Sequence, residues 1–163
     1  MPAQFLAANG AEPTTAKRVA VATGTSIKTL LQIATPSTKG ISILEWGISH
    51  DGSAAATPGS VEFIETDVAA TSGSSLTPTK YGELQDDASL CVGGTGATCY
   101  SPTVEGTITA VRTLDPQLIA PTNQYVKQFP LGARPYVKPS KFLRIRVHFG
   151  TTVNAICYVI WEE

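Results

Sequence analysis

The sequence is short of charge. Asp, Glu, Lys and Arg make up 15% of its 163 residues, against about 25% in typical soluble domains, and the formal net charge is −1. A chain so balanced projects no long-range field to gather nucleic acid, whose expected footprint is a basic stripe, so no nucleic-acid partner is expected. Long apolar runs are missing too. The longest clear one, "ICYVIW" at 156–161, falls far short of the roughly 20 residues that span a bilayer. The opening "MPAQFLAANGAEPTTAKR" has its first cation at Lys17 and no apolar stretch of signal-peptide length. A soluble chain with no readable address and no membrane partner is the expectation. Helical periodicity is scarce as well, which argues against bundles and α/β folds.

Thr, Ser, Ala and Gly take the place of charge. A weakly charged surface is easily desolvated and suits permanent contact with neighbouring subunits, although low-charge secreted modules share this composition. Hydrophobic residues at 42% are enough for one ordinary domain with a real core.

Period-two alternation bounded by Gly, Pro, Ser and Thr recurs along the chain. It predicts about eight strands, near 17–23, 26–34, 40–50, 60–67, 104–114, 124–129, 141–149 and 153–161. In 141–149, Leu143, Ile145, Val147 and Phe149 form an apolar face, and Arg144, Arg146 and His148 a cationic one. "GTT" then reads as a short turn to an antiparallel neighbour at 153–161, apolar on both faces and therefore central. In 40–50, Leu44, Trp46 and Ile48 share one face, and Ile41 and Ile43 begin the other. Antiparallel strands without covering helices imply two sheets packed face to face. The expected fold is all-β, an antiparallel β-sandwich of jelly-roll type over residues 17–163, preceded by an extended N-terminal arm at 1–16. A long loop at about 69–102, with a helical turn or two near 81–90, is a candidate functional segment because connections beyond about 15 residues usually are. The stretch 114–141 carries five prolines. It should supply only edge or short strands.

Chemistry is sparse. "CVGGTGATC" lacks the Gly-Lys-Ser/Thr ending of a phosphate loop, and the seven residues between Cys91 and Cys99 do not match the spacing of a zinc knuckle. Cys91 and Cys99 form a candidate disulfide across a glycine-rich tip, against which stands the rarity of such bonds in chains made in a cytoplasm. Cys157 falls inside a strand as a small hydrophobe. With two histidines, His50 in "SHDG" and His148 beside two arginines, no nucleophile and base are paired in sequence. The carboxylates Glu62, Glu65 and Asp67, and Glu83, Asp86 and Asp87, read as solvated edges or partners of the Arg144/Arg146 face. "LQDDAS" is too sparse for a calcium loop. No enzyme, metal or cofactor is expected.

The cationic face has two readings: a solvated sheet face paired with acidic neighbours, or a dock for an acidic partner, with Arg134, Tyr125 and Tyr136 supplying residue types enriched at interfaces. Candidate partner-interface residues are Gln4, Phe5 and Leu6 on the arm, then Tyr125, Arg134, Tyr136, Arg144 and Arg146.

Three stretches carry a resemblance: "ISILEWGISHDGSAAATPGSVEFIETDVAAT", "VEGTITAVRTLDPQLIAPTNQYVKQFPLG" and "FLRIRVHFGTTVNAICYVIWEE". They resemble capsid decoration (cement) proteins of tailed bacteriophages, and are similar to structural proteins of actinobacterial phages. The resemblance implies a virion protein, made in the host cytoplasm, that binds the outer face of the capsid. Its partner would be the major capsid protein, its state a homo-oligomer, often a trimer, and its role reinforcement of the shell against internal DNA pressure. It carries over no catalytic residue. The second reading is a carbohydrate-binding or host-adhesion β-sandwich module on a head fibre or tail.

Overall fold

The computed structural model of the chain describes residues 2–52, 57–82 and 88–163. Eight strands of five to ten residues build it: β1 (Gln4–Ala8), β3 (Lys28–Ala34), β4 (Ile41–His50), β5 (Gly59–Thr66), β9 (Val111–Ile119), β10 (Gln124–Gln128), β12 (Phe142–His148) and β13 (Asn154–Glu162). Five two-residue strands fill in the edges: β2 (Val21–Ala22), β6 (Ser74–Ser75), β7 (Thr79–Lys80), β8 (Cys99–Tyr100) and β11 (Tyr136–Val137). No helix occurs among the described residues, and the helical turn expected near 81–90 lies largely outside them, at 83–87.

The first sheet runs β10-β4-β13-β1-β7, with β11 also beside β4 and β2 beside β13. The second runs β6-β8-β3-β12-β5-β9. Among the eight long strands the first pairs with the last, β1 with β13, and the nesting continues inward as β3 with β12, β4 with β10 and β5 with β9, all antiparallel. One long hairpin rolled over on itself gives this order. It is the topology of a jelly roll, and the two sheets pack as a β-sandwich.

The core follows from alternation. Leu143, Ile145, Val147 and Phe149 of the β12 segment are buried. From the facing sheet come Ile43, Trp46, Ile48, Cys157, Val159 and Trp161. The Trp46 and Phe63 rings stack at 5.1 Å between centroids, joining the two sheets. Gly59 is required here: a Cβ at that position would meet the Phe149 ring at 2.3 Å.

Four expectations are corrected. The segment expected as an extended arm at 1–16 supplies a strand of the sandwich: Gln4–Ala8 pairs with β13 on one side and β7 on the other, and Phe5 is 1% exposed. The "GTT" connection does not join neighbours in one sheet: β12 belongs to the second sheet and β13 to the first. Phe149 and Val153, both buried, anchor the crossing. The strand expected at 104–114 runs over Val111–Ile119 instead, since an edge strand tolerates Pro116. In β4 the core face holds Ile41, Ile43, Trp46 and Ile48 together. The register shifts opposite Ile160 and Trp161, which pair with Glu45 and Ile43 and leave Leu44 as the extra residue. Such a bulge switches the parity of the buried positions.

The long connection between β5 and β9 is a structural layer. Gln32 donates to the carbonyls of Ala70 (3.2 Å) and Ala97 (2.7 Å) and accepts from the Ala70 N–H (2.8 Å). Its cross-strand neighbour Arg144 donates to the carbonyls of Glu105 (2.9 Å) and Val68, and pairs with the Glu105 carboxylate at 3.3 Å. That carboxylate also accepts from Thr29 N and Thr29 Oγ1, each at 2.6 Å. The connection therefore covers the outer face of the second sheet. It also extends the β3 edge with β8 and β6 and the β1 edge with β7, so the two sheet edges on that side are not left as unpaired templates.

Asp67 closes the base of this layer. Its carboxylate accepts from the Ala110 N–H (3.0 Å), the Thr109 N–H (3.3 Å) and the Thr109 hydroxyl. These bonds, the hydroxyl first, pull its pKa from 3.8 to about 2. A depressed carboxylate pKa contributes stability that is complete above the ordinary value and lost as pH falls through the folded one. Asp67→Asn is expected to be less stable than wild type at neutral pH, and the gap should close between about pH 4 and pH 2 in urea titrations at stepped pH. Arg144→Ala should cost about 3 kcal/mol, the low end for breaking a buried pair because Glu105 keeps some water access. Arg146→Ala, whose ion pair is partly solvated, should cost under about 1 kcal/mol in the same urea titrations.

Candidate functional site

The covered second sheet leaves the first sheet with the open outer face. Strand register places its side chains in rows. One row reads Gln4, Glu162, Ser42, Tyr136. The next reads Leu6, Ile160, Glu45, Gln128, and the third Ala8, Tyr158, Gly47, Val126. Gly47 is fixed by its neighbour, since a Cβ there would stand 2.6 Å from the Tyr158 ring.

Polar groups on this face are tied to one another. The Glu45 carboxylate accepts from the Tyr158 hydroxyl and from Gln128 Nε2 at 2.7 Å. Burial, then the bond to Glu45, raises the Tyr158 phenol well above its ordinary pKa, which keeps the hydroxyl a donor. Arg134 makes an ion pair with Glu162. Over the second row lies an open groove of about 460 Å³, lined by Leu44 and Ile160 from the sheet, Phe129, Pro130 and Arg134 from the segment after β10, and Tyr81 from the segment after β7. The β4 bulge is what puts Leu44 and Glu45 side by side at it.

Of the residues expected to contact a partner, Gln4, Leu6 and Tyr136 lie in adjacent rows of this face, and Arg134 reaches Glu162 within it. Phe5 and Tyr125 do not: both sit on the inner side of the sheet, Tyr125 donating to the buried Asp115 carboxylate at 2.9 Å. Burial and that bond push the Tyr125 phenol up to about 12. Asp115 also accepts from Trp46 Nε1 at 3.2 Å and Gln117 Nε2 at 2.7 Å, so it ties the edge strand β9 to the first sheet. Arg144 and Arg146 belong to the outer face of the other sheet and do not form a cationic dock. Arg144 is 0% exposed beneath the β5–β9 connection, and Arg146 is bound by Glu62 at 2.9 and 2.6 Å.

The remaining carboxylate candidates have structural partners. Glu65 pairs with Arg112 and Asp67 caps Thr109 and Ala110, while Glu83, Asp86 and Asp87 lie outside the described residues. His50 Nδ1 meets the Asn123 carbonyl at 3.0 Å, and its ring lies edge-on to Phe149. Tyr81, Phe129, Glu45 and Gln128 were not legible as site residues. The one signal was the break of alternation between Ile43 and Trp46, which marks the bulge.

Cys91 and Cys99 are free and buried, as is Cys157. The tip between the first two closes by backbone bonds instead: Thr98 N to Val92 O (3.3 Å), Gly94 N to Thr98 O (3.3 Å) and Ala97 N to Gly94 O (3.1 Å). Cys91 belongs to the core cluster, and burial pushes the Cys99 thiol up to about 11, far from the thiolate that reacts. A thiol reagent such as dithionitrobenzoate is expected to label none of the three cysteines in the native protein and all three in urea; rapid native labelling of Cys91 or Cys99 would contradict this placement. Comparisons with protein-family models, curated proteins and solved structures find no match for the chain.

Proposed function

We propose that this chain is a structural virion protein that binds the outer surface of a tailed-phage capsid, with the major capsid protein as partner, and stabilises the shell by burying surface. The reading is supported above all by one observation. The Pro-rich side of the sandwich presents large apolar side chains to solvent: Leu118 is 77% exposed, Val126 53%, Leu131 86% and Tyr136 50%. Isolated exposed apolar residues are ordinary, whereas several along one stretch mark a contact surface. A rigid jelly roll with so little charge suits the same role. Contact of standard size buries on the order of 1,600 Å², and repetition over a lattice adds avidity without new chemistry. The chain acts as a homo-oligomer, a trimer by the resemblance described above.

The test is attachment. Particles purified from cells producing the virus that encodes this chain are expected to carry it in many copies, accessible to antibody on intact shells. The free protein should run in native mass spectrometry at three times the 17.1 kDa chain. The double variant Leu131→Asp/Tyr136→Asp, both positions being exposed, should keep the wild-type melting curve and lose shell retention at least tenfold. Absence of the chain from purified particles would refute the proposal.

A further inference from the structure

We infer that the groove on the first sheet is a binding site for a neutral saccharide, independent of attachment to a shell. Its chemistry selects the ligand. Phe129, Pro130 and the half-exposed Tyr81 offer apolar and aromatic surface, so the ligand needs an apolar face. Glu45, Gln128 and Arg134 stand on the same groove and offer acceptors and donors, so the ligand also needs several hydroxyls.

Charge decides the rest. Glu45 is already held by Tyr158 and Gln128 and Arg134 by Glu162. Arg134 and Glu162 cancel, but the donors to Glu45 are neutral, so the groove keeps one uncompensated negative charge, which opposes an anionic ligand and gives hydroxyl donors a charged acceptor. It also retains hydrogen-bonding capacity. A sugar ring supplies both an apolar face and hydroxyl acceptors without charge. The volume, about 460 Å³, lies in the range of about 300–1,000 Å³ in which small-molecule sites fall.

The side chains are set before binding. Glu45 is fixed by two donors, and Arg134 is fixed by its pair with Glu162, so little rotamer freedom is lost on binding. Tyr81 is anchored by its backbone, its N–H donating to the Gln4 carbonyl at 2.9 Å.

The full-length chain is titrated by calorimetry and by ¹H–¹⁵N NMR with cellotriose, maltotriose, galactotriose and triacetylchitotriose, and with trigalacturonate as the anionic control. Saturable binding of at least one neutral trisaccharide is expected, with shifts centred on the amides of Tyr81, Gln128 and Phe129. Tyr81→Ala and Gln128→Ala, both at solvent-facing positions, should each weaken that binding at least tenfold at an unchanged melting temperature. The NMR map locates the site even if one variant folds poorly. Binding of none of the neutral probes, binding of trigalacturonate alone, or shifts centred elsewhere would overturn the inference.

Discussion

Arg144 sits in the middle of β12, between β3 and β5, with its guanidinium withdrawn from water. A buried cation costs several kcal/mol of desolvation unless its partners are fixed and well placed, and burial accordingly lowers its pKa. Here the partners are two backbone carbonyls and a carboxylate from a segment far away in sequence, and the carboxylate is itself held by Thr29 on the neighbouring strand. Each piece makes the others tolerable. The connection between β5 and β9 can lie over the sheet only because Arg144 and Gln32 receive its backbone groups. Those two side chains can be polar and buried only because the connection is there. The layer is thus part of the folding unit, although its length and composition have the look of a mobile loop.

Covering one sheet decides what the other can do. With the outer face of the second sheet occupied, the side chains of the first that point away from the core remain as the chain's large accessible β surface. On that surface the charged side chains are held by partners, Glu45 by hydrogen bonds from Tyr158 and Gln128, and Glu162 by an ion pair with Arg134. The result is a face with hydrogen-bonding groups and little net charge, which fits contact by shape and by hydroxyl chemistry better than steering by charge. The cysteines and His50, whose types first suggested chemistry, are spent on the scaffold: thiols buried, and His50 bound to the Asn123 carbonyl at the end of β4.

How much of this was written in the sequence depends on the distance over which each feature is determined. Alternation is local, so the apolar face of β12 and the two-sided burial of β13 were readable from a dozen residues. The proline rule was readable as well, since Pro116 falls on the edge strand β9 and β11 is two residues long. Arg144 and Arg146 look identical to any local rule. They differ because Val68 and Glu105 lie over one and Glu62 beside the other, a fact of tertiary structure. Gln4–Ala8 was missed because "QFLAA" has no turn signal before it and earns its place by pairing with residues 150 or more positions away. The crossing between sheets after Phe149 was missed for a similar reason: a short Gly-Thr-Thr connection serves a hairpin or a passage between layers, and only the pairing of β13 with β4 and β1 distinguishes them. The groove was partly legible, as the parity break in "ISILEWGIS" signals a bulge, but what gathers beside Glu45 comes from strands and loops read separately.

The two edges left uncovered, β9 and β10 with β11, bear on association with other chains. An unpaired edge with exposed Val111, Leu118 and Val126 invites another strand, and a protein held at high local concentration would be driven toward open-ended stacking. Several features oppose this. Pro116 removes a donor in the middle of β9, and a register shift opposite Phe63 and Ile64 breaks its regular pairing with β5. Asp115 turns inward to Trp46 and Tyr125, pulling the strand against the first sheet. With backbone pairing made poor in this way, contact on that side has to run through side chains. Packing of side chains is specific to shape where strand addition is not, and that is the kind of contact the proposed attachment to a shell requires.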